Sequence, residues 1–173
     1  MENSMTTTQV GLRYGLIFGI IGIIYNLILQ FAGLAGNQAA SWAGMIITVV
    51  GLVLAHKAFK DSGDGYMKYG QGMSISFILL VVSNVLGSAF LYIYLSFVDD
   101  SMLQMIKEKT YEQWEAQGMS DAAMAQAESI GSFFWSVGGV VTMGVVGGLI
   151  VGLIVALIVT AITKNTPPET DIA

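Results

Sequence analysis

The sequence predicts an all-α fold: an integral membrane four-helix bundle with an exterior helix-turn-helix loop between the third and fourth spans. Three observations lead there. The 173-residue chain is 54% hydrophobic and only 11% charged, where a soluble domain carries about 25% charge. Its apolar residues gather into uncharged runs long enough to cross about 30 Å of hydrocarbon. The remaining charges sit between those runs and differ in sign from one side to the other.

Taken in order, the first two spans come from the 42 uncharged residues between Arg13 and His56, interrupted by the small and polar stretch Gly33-Leu34-Ala35-Gly36-Asn37-Gln38. This reads as a helical hairpin with spans at about 12–33 and 40–59. The first segment exceeds a signal-peptide core and has no Lys or Arg in its first ten residues, so it reads as an anchor. A third span is expected at about 73–98, which carries no charge. The fourth uncharged run, 129–163, holds 35 residues, or about 52 Å of ideal helix, so it must tilt, break or project. The span is placed at about 133–163, with the Gly138-Gly139 pair as the expected break. The polar, proline-led tail 165–173 is expected to be disordered, and 1–173 reads as a single membrane domain.

The loop 99–131 is the one connection long enough for further structure. Leu103, Ile106, Thr110 and Trp114 recur at helical spacing after the capping residues Asp99 and Asp100, predicting a helix over 101–117. Gly118 ends it, and Ser120-Asp121 starts a second helix expected to run on into the fourth span. Tyr111 and Trp114 suit either the headgroup zone or the protein, and the acidic surroundings favour the protein.

Charge gives an orientation. Arg13, Lys57, Lys60, Lys68 and Lys164 fall on one side, five of the seven basic residues. The positive-inside rule puts that side, with both termini, in the cytoplasm. The loop 99–131 holds seven acids against Lys107 and Lys109 and should lie outside.

Little in the chain suits catalysis. It has no cysteine and one histidine, His56, so thiol chemistry, disulfides and a multi-ligand Cys/His zinc site are excluded. His56 beside Lys57 reads as an interfacial cation. Asp61-Ser62-Gly63-Asp64-Gly65 lacks the spaced acids of a calcium loop and reads as a turn. No acid lies in the middle of a span, which weakens an ion-coupled transporter. No catalytic residue, metal site, cofactor or nucleic-acid partner is expected.

The spans do carry small residues at close-packing spacing, a glycine zipper: Gly11, Gly15 and Gly19 in the first, Gly144, Gly148 and Gly152 in the fourth. Such stripes are contact faces of membrane helices, within a chain or between copies. Asn84, Ser88 and Thr142 are the candidate lining of a polar cavity.

A resemblance emerges from short motifs in order. Gly65-Tyr66-Met67-Lys68-Tyr69-Gly70-Gln71-Gly72, the Arg13-Tyr14-Gly15-Leu16 start, the Lys57-Ala58-Phe59-Lys60 exit and the acidic loop around Gly118-Met119-Ser120 resemble the bacterial membrane proteins called domain of unknown function 4199. The likeness covers nearly the whole chain. It implies four helices in a bacterial inner membrane and brings no activity or functional residue. Within that motif, Tyr69, Gly70, Gln71 and Gly72 read as an interfacial elbow. The residues favour a non-enzymatic scaffold or accessory subunit, associating with lipid, itself or another membrane protein through glycine faces and the acidic loop. The alternative is a small transporter or channel for a neutral or weakly polar solute.

Overall fold

The computed structural model describes residues 4–34 and 37–167. Among them are six α-helices and no strand: α1 (Thr7–Phe31), α2 (Gln38–Asp61), α3 (Tyr69–Phe97), α4 (Ser101–Ala116), α5 (Asp121–Ile130) and α6 (Val137–Thr163). Four of them, α1, α2, α3 and α6, are long and apolar enough to cross a membrane.

The capping side chains set several boundaries. Thr6 and Gln9 form a reciprocal capping box, so α1 begins at Thr7, ahead of the expected residue 12. The Asn37 carboxamide accepts from the N–H groups of Ala39 and Ala40 and starts α2. Gln71 Oε1 accepts the Lys68 N–H and fixes the first turn of α3. At the far end of α1, Gly33 adopts a φ of 67°, which lets Leu34 N–H reach back to Leu29 O and close the helix.

The chain forms two compact units, Met1–Gly87 with Gly148–Ala173, and Ser88–Gly147. The first unit is a four-helix bundle made from α1, α2, the early part of α3 and the late part of α6. On α1 and α6 the glycines face α3 and large residues face away from it. A Cβ on Gly11 would lie 2.7 Å from Ile78 Cβ, one on Gly15 2.8 Å from Val82 Cβ, and one on Gly19 2.9 Å from Leu86 Cδ1. The backbones of α1 and α3 therefore meet almost directly. Ser83 Oγ lies 3.0 Å from Gly15 O and links the two helices further. On the opposite side of α1, Leu16, Ile20, Ile24 and Ile28 are exposed at four-residue spacing. α6 repeats the plan: Gly148 and Gly152 meet Asn84 and Leu80 of α3, while Ile150, Ile154 and Ile158 point away. Leu52, Ala55, Ile75, Leu79 and Ala156 fill the centre. A water-soluble bundle distributes size and polarity the other way; lipid, as apolar as leucine, leaves close van der Waals packing to hold the helices together.

The second unit contains α4 and α5. Asp99 Oδ1 accepts the Ser101 N–H at the start of α4, which holds the Asp99 carboxyl below its ordinary range, whereas Asp100 makes no side-chain cap to the backbone. Gly118, at φ 73°, ends α4 as Met119 N–H bonds to Trp114 O. Ser120 caps α5.

Two expectations need correcting here. α5 does not continue into the last span but ends at Ile130, and the break lies at 131–136 instead of at Gly138-Gly139. Ser136 explains the position: its Oγ accepts the Gly139 N–H and begins α6 at Val137, not 133. Gly139 is consumed in that turn, since a Cβ there would collide with the Phe133 carbonyl. The tail also departs from expectation at its first residue. Asn165 pairs with Met67 through two backbone hydrogen bonds, Met67 N–H to Asn165 O at 2.7 Å and Asn165 N–H to Met67 O at 3.0 Å. Residues 168–173 of the expected tail lie outside the described residues.

Candidate functional site

Polar side chains of the first unit concentrate at the end where α2 finishes, α3 begins and α6 finishes. His56 lies one turn beyond Leu52 and so continues the buried face of α2, with no exposed surface. This overturns its reading as an interfacial cation. Its Nδ1 is 2.7 Å from Thr163 Oγ1 of α6, and its Nε2 is 2.9 Å from both Gly72 O and Ser76 Oγ of α3. Ser76 and Thr160 are themselves fully buried, 3.4 Å apart. One imidazole thus joins three helices.

Gly72 makes the junction possible. A Cβ there would lie 2.8 Å from Thr160 Cγ2 and 2.9 Å from Met67 Cε, so only glycine lets α6 bring its hydroxyls this close to α3. Lys60, one turn past His56, donates to Thr163 O at 3.1 Å and satisfies a carbonyl at the α6 terminus.

Hydrogen-bond accounting assigns the protons. Gly72 O can only accept, so His56 Nε2 carries a hydrogen. In the neutral ring Nδ1 is then an acceptor, and the Thr163 hydroxyl, also 2.8 Å from Val159 O, shares its one hydrogen between the two. A ring that donates from Nε2 has no lone pair to offer Ser76 Oγ. In that tautomer the one Nε2 hydrogen is shared between Gly72 O and Ser76 Oγ, and both contacts tie α2 to α3.

Beside this knot is an open cavity of about 380 Å³. Its lining includes Met5, Phe59, Asp64, Tyr66, Lys68 and Gln71. The walls are braced by Met5 N–H to Ser62 Oγ, by Tyr66 N–H to Asp64 Oδ1 and by the Met67–Asn165 pairing. Among the described residues, no group of three or more His, Asp or Glu side chains is placed to hold a metal.

The sequence-derived candidates separate into several places. Gly11, Gly15, Gly19, Gly148 and Gly152 lie against α3 within the chain, whereas Gly144 has nothing within 4 Å of where a Cβ would stand. Asn84 belongs to the first unit, and Ser88 and Thr142 to the second. Asn84 donates to Leu80 O and Thr142 to Gly138 O, each on its own helix. In the motif at the start of α3, Gln71 caps, Gly72 packs against Thr160, Gly70 has open space and Tyr69 is exposed.

In the second unit Tyr111 donates to Glu128, which also pairs with Lys107 at 3.8 Å. That bond raises the Tyr111 phenol above its ordinary range. Trp114 packs edge-on against both Tyr111 and Trp135, at centroid distances of 5.4 and 6.0 Å.

Four helices long and apolar enough to cross a membrane, two of them packed on α3 through glycine faces, are the pattern of a multi-span helical membrane protein. The chain belongs to the family described as "Protein of unknown function (DUF4199)", whose model matches residues 13–165. No curated protein and no solved structure matches it.

Proposed function

We propose that this protein is a non-enzymatic scaffold or accessory subunit of a bacterial inner membrane. The observation that carries the reading is the filled interior of the first unit. Glycines bring α1 and α6 onto α3, and Leu52, Ile75, Leu79 and Ala156 occupy the space between the helices. Such an interior holds helices in place and offers a solute no polar path along the axis. The His56 knot supports it, because both ring nitrogens are engaged in joining helices.

Packing within the chain bears on how such a subunit would associate. The Gly11, Gly15 and Gly19 stripe and the Gly148 and Gly152 steps are occupied inside the chain, while Gly144 and Gly147, open like Gly22 and Gly87, give α6 a small-residue face that a second copy or a partner helix can approach. The acidic α4–α5 segment supplies the polar contact. Lys60, Lys68 and Lys164 gather at the end of the first unit that holds the Met67–Asn165 pairing, and the positive-inside rule assigns that end to the cytoplasm.

The test is native mass spectrometry of the full chain extracted gently from its own membrane, run beside solute flux measurements in proteoliposomes. A defined oligomer or a stoichiometric membrane partner, with no flux, is the expected result. A bare monomer that carries a neutral solute across the bilayer would overturn the scaffold and establish the small-transporter alternative.

A further inference from the structure

We infer that the cavity beside α3 holds the ammonium-phosphate headgroup of a zwitterionic phospholipid bearing a free amine, with Lys68 on the phosphate and Asp64 on the ammonium.

The lining is chemically two-sided. Lys68 supplies a cation and Asp64 an anion to one cavity of about 380 Å³, yet the two do not pair with each other. Among the described residues the one ion pair is Lys107–Glu128, in the other unit. Two opposite charges facing one cavity without neutralising each other match a ligand that carries both signs.

The remaining valences agree. Asp64 Oδ1 accepts the Tyr66 N–H, which fixes the carboxylate and leaves its second oxygen for an ammonium donor. Gln71 spends its carbonyl oxygen on the Lys68 N–H, which leaves its amide N–H₂ as a further donor for phosphate oxygens. Met5 and Phe59 complete the wall with apolar surface suited to the glycerol end of the molecule.

Depth favours a lipid over a soluble amino-phosphate. The cavity is bordered by the C-terminal end of α2, the start of α3 and the residues that follow α6. With Met5 just ahead of α1, all four membrane-crossing helices therefore begin or end around it, which is the level of the headgroups. The inference needs the membrane but not the scaffold, since a transporter can carry the same headgroup site; its failure would leave the oligomer and flux results untouched.

The experiment is native mass spectrometry of the full chain released from nanodiscs made of equal parts phosphatidylethanolamine, phosphatidylglycerol and phosphatidylcholine with identical acyl chains. Phosphatidylethanolamine should be retained about tenfold over each of the others, the worth of one charge-assisted hydrogen bond. Phosphatidylglycerol lacks the ammonium, and the methylated ammonium of phosphatidylcholine has no N–H to donate. Asp64→Asn keeps the acceptor for Tyr66 N–H and should abolish the preference, whereas Lys68→Gln should reduce retention of all three. Both positions are exposed, so unfolding temperatures should match the parent. A parent without headgroup preference, or a preference that survives both substitutions, would overturn the assignment. So would complete displacement by an equal concentration of free O-phosphoethanolamine, which would make the occupant a soluble molecule.

Discussion

Replacing His56 tests the knot most directly, because its ring contacts both α3 and α6 from α2. His56→Phe fills nearly the same volume and removes only the hydrogen bonds. Three contacts are lost, at 2.7, 2.9 and 2.9 Å. Interhelical hydrogen bonds in membranes average about 0.6 kcal/mol each, and protein hydrogen bonds generally about 1 kcal/mol. The expected destabilisation is therefore about 2–3 kcal/mol. It is not larger, because the Thr163 hydroxyl keeps Val159 O as a partner and Ser76 keeps Thr160. His56→Ala adds a cavity and should cost about 4 kcal/mol. The assay is equilibrium unfolding of the full chain in mixed detergent micelles, completed by a double-mutant cycle with Thr163→Val in which the coupling should be about 1 kcal/mol. As the chain has a single histidine, a ¹⁵N-histidine spectrum reports this ring alone and should show Nε2 protonated. A cost below about 0.5 kcal/mol for His56→Phe, or a ring protonated at Nδ1 only, would refute the reasoning.

Gly15→Ala places a Cβ 2.8 Å from Val82 Cβ and 3.1 Å from Leu79 O, so unfolding measurements should show a loss of about 1–3 kcal/mol. Gly144→Ala meets nothing within 4 Å; it should leave unfolding nearly unchanged and, where Gly144 faces a second copy, alter the oligomer mass in native spectra. The Tyr111–Glu128 bond belongs to the neutral phenol, and the folded phenol titrates above the ordinary value. Its contribution is thus fully present below about pH 10 and is lost as pH rises through the folded value. Tyr111→Phe should remove a component that titrates above the ordinary tyrosine value from the tyrosinate absorbance curve, and an unchanged curve would dismiss the bond. Single cysteines at Gln38, Gly63, Gln117 and Thr166, labelled from outside intact cells, should react at Gln38 and Gln117; labelling at Gly63 with protection at Gln117 would reverse the orientation.

The sequence made the spans legible because lipid demands long uncharged runs, and no packing detail is needed to see them. It also made the glycine spacing visible, but not the partner. Gly11, Gly15 and Gly19 serve equally well between copies or within a chain until α3 is placed beside them, and the structure uses them against Ile78, Val82 and Leu86. The break before α6 was within reach. A serine immediately before an apolar helix is an N-cap signal, and Ser136 fulfils it, while the neighbouring glycine pair drew attention because glycine so often interrupts helices. Gly139 instead accommodates a close backbone approach.

His56 was illegible for a deeper reason. A histidine next to a lysine near a helix end is ordinary at a membrane surface, and the local sequence carries no sign of burial. What decides its environment is Ser76, 20 residues away, and Thr163, 107 residues away, each unremarkable alone. In a bundle held by glycine contacts the helix positions are fixed by shape, and a stripe of small residues tolerates sliding by one turn because the next glycine presents the same surface. A polar knot does not tolerate it. Moving α3 by one turn puts a residue with a side chain where Gly72 stands, 2.8 Å from Thr160 Cγ2, and takes the Ser76 hydroxyl from the ring, at a cost of about 1–3 kcal/mol. The glycines bring the helices together and His56 sets their register, which is why the one histidine sits where three helices meet.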